Sequence, residues 1–209
     1  MDLVVGILEK NEAELKRKID LVKDKASRFH IDIIDRDFAH NPTIGMDAIR
    51  SLGNIPNLAV HLMVAKVDSF LPSWCQTPVG SIIFYPKESD NIKGSIERIH
   101  ASGKKVGLAL DIADGVEMVR PYINEADFIL ILTVPSGFAG GEFNPGALPK
   151  IGALKSLKPD LVVGVDGGIN KETIKPAREA GASFAVANSA IFTSANPPLA
   201  LEELTQLVS

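Results

Sequence analysis

Cysteine occurs once in the 209 residues, at Cys75. No internal disulfide is possible, which fits a reducing compartment. Long hydrophobic runs are also missing. The longest, FILILTV at 128–134, is far too short to cross a bilayer. The first residues, MDLVVGILEKNEAE, turn acidic within ten positions and lack the basic flank and long apolar stretch of a signal peptide. No basic stripe runs through the chain, whose formal net charge is −4. Its absence argues against a nucleic-acid scaffold but leaves room for a local phosphate site. VGILEKN, which closes the first strand-like run, is not a G-x-G-x-x-G fingerprint. These absences describe a soluble, cytoplasmic protein with no nucleic-acid or membrane partner.

The composition is that of a globular chain, 45% apolar and 23% charged. Short apolar, β-branched runs recur along it: Leu3–Leu8, Phe29–Ile34, Leu58–Val64, Gly80–Phe84, Val106–Leu110, Phe128–Val134, Leu161–Val165 and Phe184–Ala187. Segments with helical period follow most of them. EAELKRKIDLVKDKA, for example, sets Leu15, Ile19 and Val22 on one stripe. VEMVRPYINEA reads as a helix disturbed by Pro121. Continuous apolar strands that alternate with helices are parallel and buried on both faces. Eight such units predict an α/β fold, a closed (β/α)₈ TIM barrel forming a single domain over 1–209. An open doubly wound sheet is the rival.

Function on such a barrel gathers at the C-terminal ends of the strands. RFHIDIIDRDF places His30, Asp32 and Ile34 on one face of the second strand. His61 lies in phase with Ala59 and Met63 on the third, and Asp166 with Val162 and Gly164 on the seventh. Singly, each has a bland explanation: a strand histidine is often satisfied within a core, and Asp166 before two glycines can begin a turn. Together, two imidazoles and two carboxylates at one end of a lumen suit a single divalent ion such as Zn, Fe(II), Mn or Co. That ion would also supply the partner that buried polar groups need.

Glycine-rich loops follow the last three strands: PSGFAGGEF (135–143), DGGIN (166–170) and ANSAIF (187–192). Glycine lets backbone approach a ligand, and barrels often hold phosphate at the loops after strands seven and eight. The plain alternative is that these glycines only make tight turns.

HIDIIDRDFAHNPTIG, VHLMV, VDGGIN and SAIF, in that order, resemble the ribulose-phosphate 3-epimerase family over nearly the whole chain. The resemblance implies a (β/α)₈ barrel that interconverts D-ribulose 5-phosphate and D-xylulose 5-phosphate in the pentose phosphate pathway. It implies metal ligands at His30, Asp32, His61 and Asp166, with Asp32 and Asp166 as the acid/base pair. It places the phosphate at Gly137, Phe138, Ala139 and Gly140, at Gly167 and Gly168, and at Asn188 and Ser189. Met63 matches a methionine that usually caps the reacting centre, with Ile34 and Leu132 in place of the others. A homo-oligomer is implied as well. Two carboxylates, one ionised and one protonated, can remove a proton from one face of a carbon and return one to the other. A metal would act as a Lewis acid toward the enediolate between those steps.

The chain departs from the family pattern around this core. Gly6 stands near the place of a serine, and IDRDFAHN replaces MDGHFVPN, which introduces Arg36, Asp37 and His40. Tyr85 replaces the histidine of HPE, Asp111 stands where Asn or Lys is commoner, and VPSGFAGG replaces NPGFGG. The sugar-reading shell is therefore altered. An epimerase for another ketose phosphate, such as allulose 6-phosphate, and a non-catalytic sugar-phosphate binder both remain open. An aldolase using a Schiff base has no lysine at a strand end in lumen phase.

Overall fold

The computed structural model describes residues 1–137 and 141–208. Eight parallel strands close into a barrel in sequence order. They are β1 (Asp2–Ile7), β2 (Phe29–Ile34), β3 (Leu58–Met63), β4 (Ser81–Phe84), β5 (Lys105–Leu110), β6 (Phe128–Leu132), β7 (Val162–Asp166) and β8 (Phe184–Ala187). Each expected run forms a strand within a residue or two of its anticipated ends, so the closed (β/α)₈ barrel holds and the open sheet does not.

The helices that cover the barrel are α1 (Glu12–Val22), α2 (Met46–Ser51), α3 (Leu71–Trp74), α4 (Ile92–Ala101), α5 (Pro149–Leu157), α6 (Ile174–Glu179), α7 (Ser189–Phe192) and α8 (Pro197–Val208). Asn11 starts α1 by accepting from the amides of Ala13 and Glu14, and Leu15, Ile19 and Val22 form its buried stripe. The four and six residues of α3 and α2 show where the chain is shortened. One expected helix does not form. Residues 116–122 make two 3₁₀ turns, Val116–Met118 and Arg120–Tyr122. Pro121 has no N–H to give the Glu117 carbonyl, so an α-helix cannot run through it.

Apolar side chains fill two regions. One lies between the sheet and the helices, where Ile31, Leu62, Leu108 and Val163 are among the fully buried members. Each such side chain stabilises the fold by about 1.5–3 kcal/mol relative to exposure. The other fills the lumen. At its N-terminal end the rings of Phe128 and Phe184 meet edge to face at 5.7 Å. Gly164 makes room for them, since a Cβ there would stand 2.1 Å from the Phe184 ring. At the other end Ile34, Met63, Tyr85 and Leu132 form the upper apolar layer. On their strands His30, Asp32 and His61 precede Ile34 and Met63, so the polar side chains of the lumen lie between the lower aromatic pair and this upper layer.

Candidate active site

Strand register assembles the polar set. Asp32 on β2 pairs with His61 on β3, and Leu132 on β6 pairs with Asp166 on β7. His30, Asp32, His61 and Asp166 all point into the lumen, and they are the only buried Asp and His side chains among the described residues. His30 Nε2 lies 3.1 Å from Asp32 Oδ1 and 3.4 Å from Asp166 Oδ2. His61 Nδ1 lies 3.3 Å from Asp32 Oδ1 and 3.9 Å from Asp166 Oδ2. One donor atom from each of the four thus falls within 4.8 Å of every other. The sequence expectation that these residues meet at one point holds.

Two threonines fix the carboxylates' backbones. The Thr43 hydroxyl donates to the Asp32 carbonyl at 2.8 Å and accepts from the Ile34 amide. The Thr133 hydroxyl donates to the carbonyls of Asp166 and Gly167 at 2.9 and 2.5 Å.

Burial opposes charge on all four groups, yet the outcome differs. On Asp166 burial dominates, the Asp32 carboxylate adds to it, and the carboxyl is pushed up to about 7. On Asp32 the His30 and His61 imidazoles outweigh burial and hold it down to about 2. Burial likewise lowers His61, while the charges of Asp32 and Asp166 raise His30 against it.

Neither nitrogen of His61 makes a hydrogen bond among the described residues, although the ring is fully buried. Such an orphan is costly unless something else pairs it. A cation at Nδ1 would do so, and two imidazoles with two carboxylates are suitable donors for a divalent transition metal. The residues present therefore fit a metal, without identifying which.

A cleft of about 550 Å³, counting its open mouth, lies over the cluster. Asp32, Asp166, Met63, Gly137, Gly167, Gly168, Asn188 and Ser189 line it, as does Gly6. Gly167 and Gly168 have φ of +110° and +66°, conformations that glycine alone adopts readily. The expected site residues Phe138, Ala139 and Gly140 lie outside the described residues. Arg36, Asp37 and His40 are exposed on the loop after β2 and do not line the cleft. Tyr85 is fully buried, its ring 5.2 Å from His61 and 5.4 Å from Phe38. Burial, with the charges of Asp111, Asp166 and Asp32, pushes its hydroxyl well up. Thr43, Thr133 and Ser136 were not anticipated, because a lone hydroxyl in a sequence carries no signal until its acceptor is known.

The chain matches the Ribulose-phosphate 3 epimerase family over residues 2–192. It is 33% identical to ribulose-phosphate 3-epimerase of Bacillus subtilis over 208 residues, covering 95% of each chain. It is 34% identical over 210 residues to the cytoplasmic isoform of Oryza sativa, covering 97% of this chain and 92% of that one. Among solved structures, 3-hexulose-6-phosphate synthase from Salmonella typhimurium superposes with a TM-score of 0.76 at 18% identity, covering 100% and 98% of the two chains. KGPDC from Streptococcus mutans gives 0.77 at 13%, covering 99% and 96%. Those two likenesses show the fold alone. The whole-length family match and the relatives above 30% identity say more: this chain is an isomerase, a member of the ribulose-phosphate 3-epimerase family.

Proposed function

We propose that the enzyme interconverts D-ribulose 5-phosphate and D-xylulose 5-phosphate by proton transfer at C3, with Asp32 and Asp166 as the two acid/base groups. The observation that carries this is geometric. Two carboxylates reach the floor of one cleft from strands on different sides of the barrel, β2 and β7, and both border the open space. In one direction one carboxylate takes the C3 proton and the other, protonated, delivers a proton to the opposite face; the reverse reaction exchanges their roles. No net proton is gained or lost.

A divalent ion held by His30, Asp32, His61 and Asp166 would supply Lewis-acid stabilisation of the negative charge that develops on the substrate oxygens. Met63, with Ile34 and Leu132, packs an apolar layer beside the carboxylates and keeps water from the reacting carbon. Gly137, Gly167, Gly168, Asn188 and Ser189 offer the phosphate a wall of close backbone. Phe138, Ala139 and Gly140 belong to the same proposal.

The test is incubation of metal-loaded protein with D-ribulose 5-phosphate in D₂O. Deuterium at C3 together with xylulose 5-phosphate supports the reading, and neither appearing rejects it. The buried Tyr85 and the Asp111 carboxylate beside the mouth favour a second reading, in which the same chemistry serves a six-carbon ketose phosphate such as allulose 6-phosphate. Comparing kcat/KM for the two sugars decides, and a clear preference for the pentulose ends it.

A further inference from the structure

We infer that Ser136 is a specificity-determining residue that accepts a hydrogen bond from the 4-hydroxyl of the sugar phosphate, the hydroxyl between the reacting C3 and the phosphate-bearing carbon. This rests on the epimerase reading above.

Ser136 lines the same cleft as Asp32 and Asp166. Its Oγ donates to Asp111 Oδ2 at 2.6 Å, across from the end of β5. Asp111 is itself tightly held. Its Oδ1 accepts from the Ile112 amide at 2.8 Å, and Lys87 Nζ lies 3.8 Å from its Oδ2. Lys150 Nζ donates to the Asp111 and Ile112 carbonyls at 2.7 and 2.8 Å, which pins the backbone beneath it.

A carboxylate only accepts, so the single hydroxyl proton of Ser136 is committed to Asp111. The Tyr85 hydroxyl also approaches Ser136 without completing a hydrogen bond to it, so what remains for a ligand in the cleft is lone-pair density on the Ser136 oxygen with a fixed carboxylate behind it. That surface suits a donor. A sugar hydroxyl can donate to it, whereas a phosphate dianion cannot and is repelled by Asp111. The cleft is therefore polarised: the phosphate belongs with Gly167 and Gly168, and a hydroxyl belongs at Ser136. Ser136 immediately precedes Gly137 of the proposed phosphate wall and shares the lining with Asp166. Ser136 borders the same space as the proposed acid/base pair and the proposed phosphate wall, and the substrate hydroxyl adjacent to both the reacting carbon and the phosphate-bearing carbon, the 4-hydroxyl, is the one assigned to it.

The probe is D-ribitol 5-phosphate, which has no ketone and cannot be epimerised, measured against its 4-deoxy counterpart. Both are titrated calorimetrically into metal-loaded wild-type protein, Ser136→Ala and Ser136→Thr. The wild type should prefer the hydroxylated probe by roughly 10-fold, the loss expected when an acceptor covered by the ligand is left without its donor. Ser136→Ala should bring the two affinities within about 2-fold of each other, and Ser136→Thr, which keeps the hydroxyl, should restore most of the preference. The inference is overturned if the wild type shows no preference, if Ser136→Ala keeps it, or if neither probe binds. Because the probes do not react, this result is independent of turnover: absent deuterium exchange with ribulose 5-phosphate rejects the epimerase reading alone.

Discussion

Asp32 and His61 sit side by side in register on β2 and β3, with Oδ1 and Nδ1 3.3 Å apart. Parallel pairing forces them together, because the same register that seats Ile31 beside Val60 on the outer face seats this pair in the lumen. Replacing His61 by Asn should therefore leave the barrel folded while weakening metal binding by about 10-fold or more. Elemental analysis of the purified variant, with circular dichroism as the control for folding, checks both halves.

Asp166→Asn removes one of the two proposed proton carriers but keeps its shape. Turnover should fall by roughly 10²–10⁴-fold. Activity at the wild-type level would show that the proton travels another way.

In the metal-free protein the two carboxylates act oppositely on stability. The Asp166 carboxyl, raised to about 7, contributes stability that is fully present below its unfolded value of 3.8 and is lost as pH rises toward 7. The Asp32 carboxyl, lowered to about 2, contributes stability present above 3.8 and lost as pH falls toward 2. Between these limits the Asp166 contribution governs, and it amounts to a decline on the order of 2–4 kcal/mol. Metal binding needs the ionised carboxylate, so loaded protein should escape this decline. Melting temperatures of chelated and metal-loaded samples should diverge as pH rises from 4 to 7, and Asp166→Asn should flatten the chelated curve.

Tyr85 buries a hydroxyl that has no hydrogen-bond partner among the described residues. Such a group costs about 1–3 kcal/mol. Tyr85→Phe keeps the ring against His61 and removes that cost, so thermal melts should show a rise of a few degrees, at ~2–4 °C per kcal/mol. A fall would mean that the hydroxyl is satisfied in solution.

Gly164→Ala tests the lumen packing. A Cβ would meet the Phe184 ring at 2.1 Å, far inside contact distance. Displacing that ring should cost about 1–3 kcal/mol, read as a lowered urea midpoint with unchanged slope.

The barrel and the buried histidine–aspartate cluster were legible in the sequence for one reason: both follow from a period of two along buried strands. His30 and Asp32 share a face because they are two apart, and the apolar run around them leaves no other strand assignment. The helical period of VEMVRPYINEA was equally plain, but one missing amide at Pro121 overrode it. The Asp111–Ser136 bond was out of reach, since it joins positions 25 apart in loops whose proximity is set by the pairing of β5 with β6. Thr43 and Thr133 were hidden similarly, one in a loop and the other reading as strand.

The most direct test of the account is anomalous diffraction, at the metal's absorption edge, from crystals of protein purified without added metal. The account predicts one strong peak in contact with His30, Asp32, His61 and Asp166 together. A peak held by other side chains, or imidazoles and carboxylates turned away from an empty centre, would contradict it.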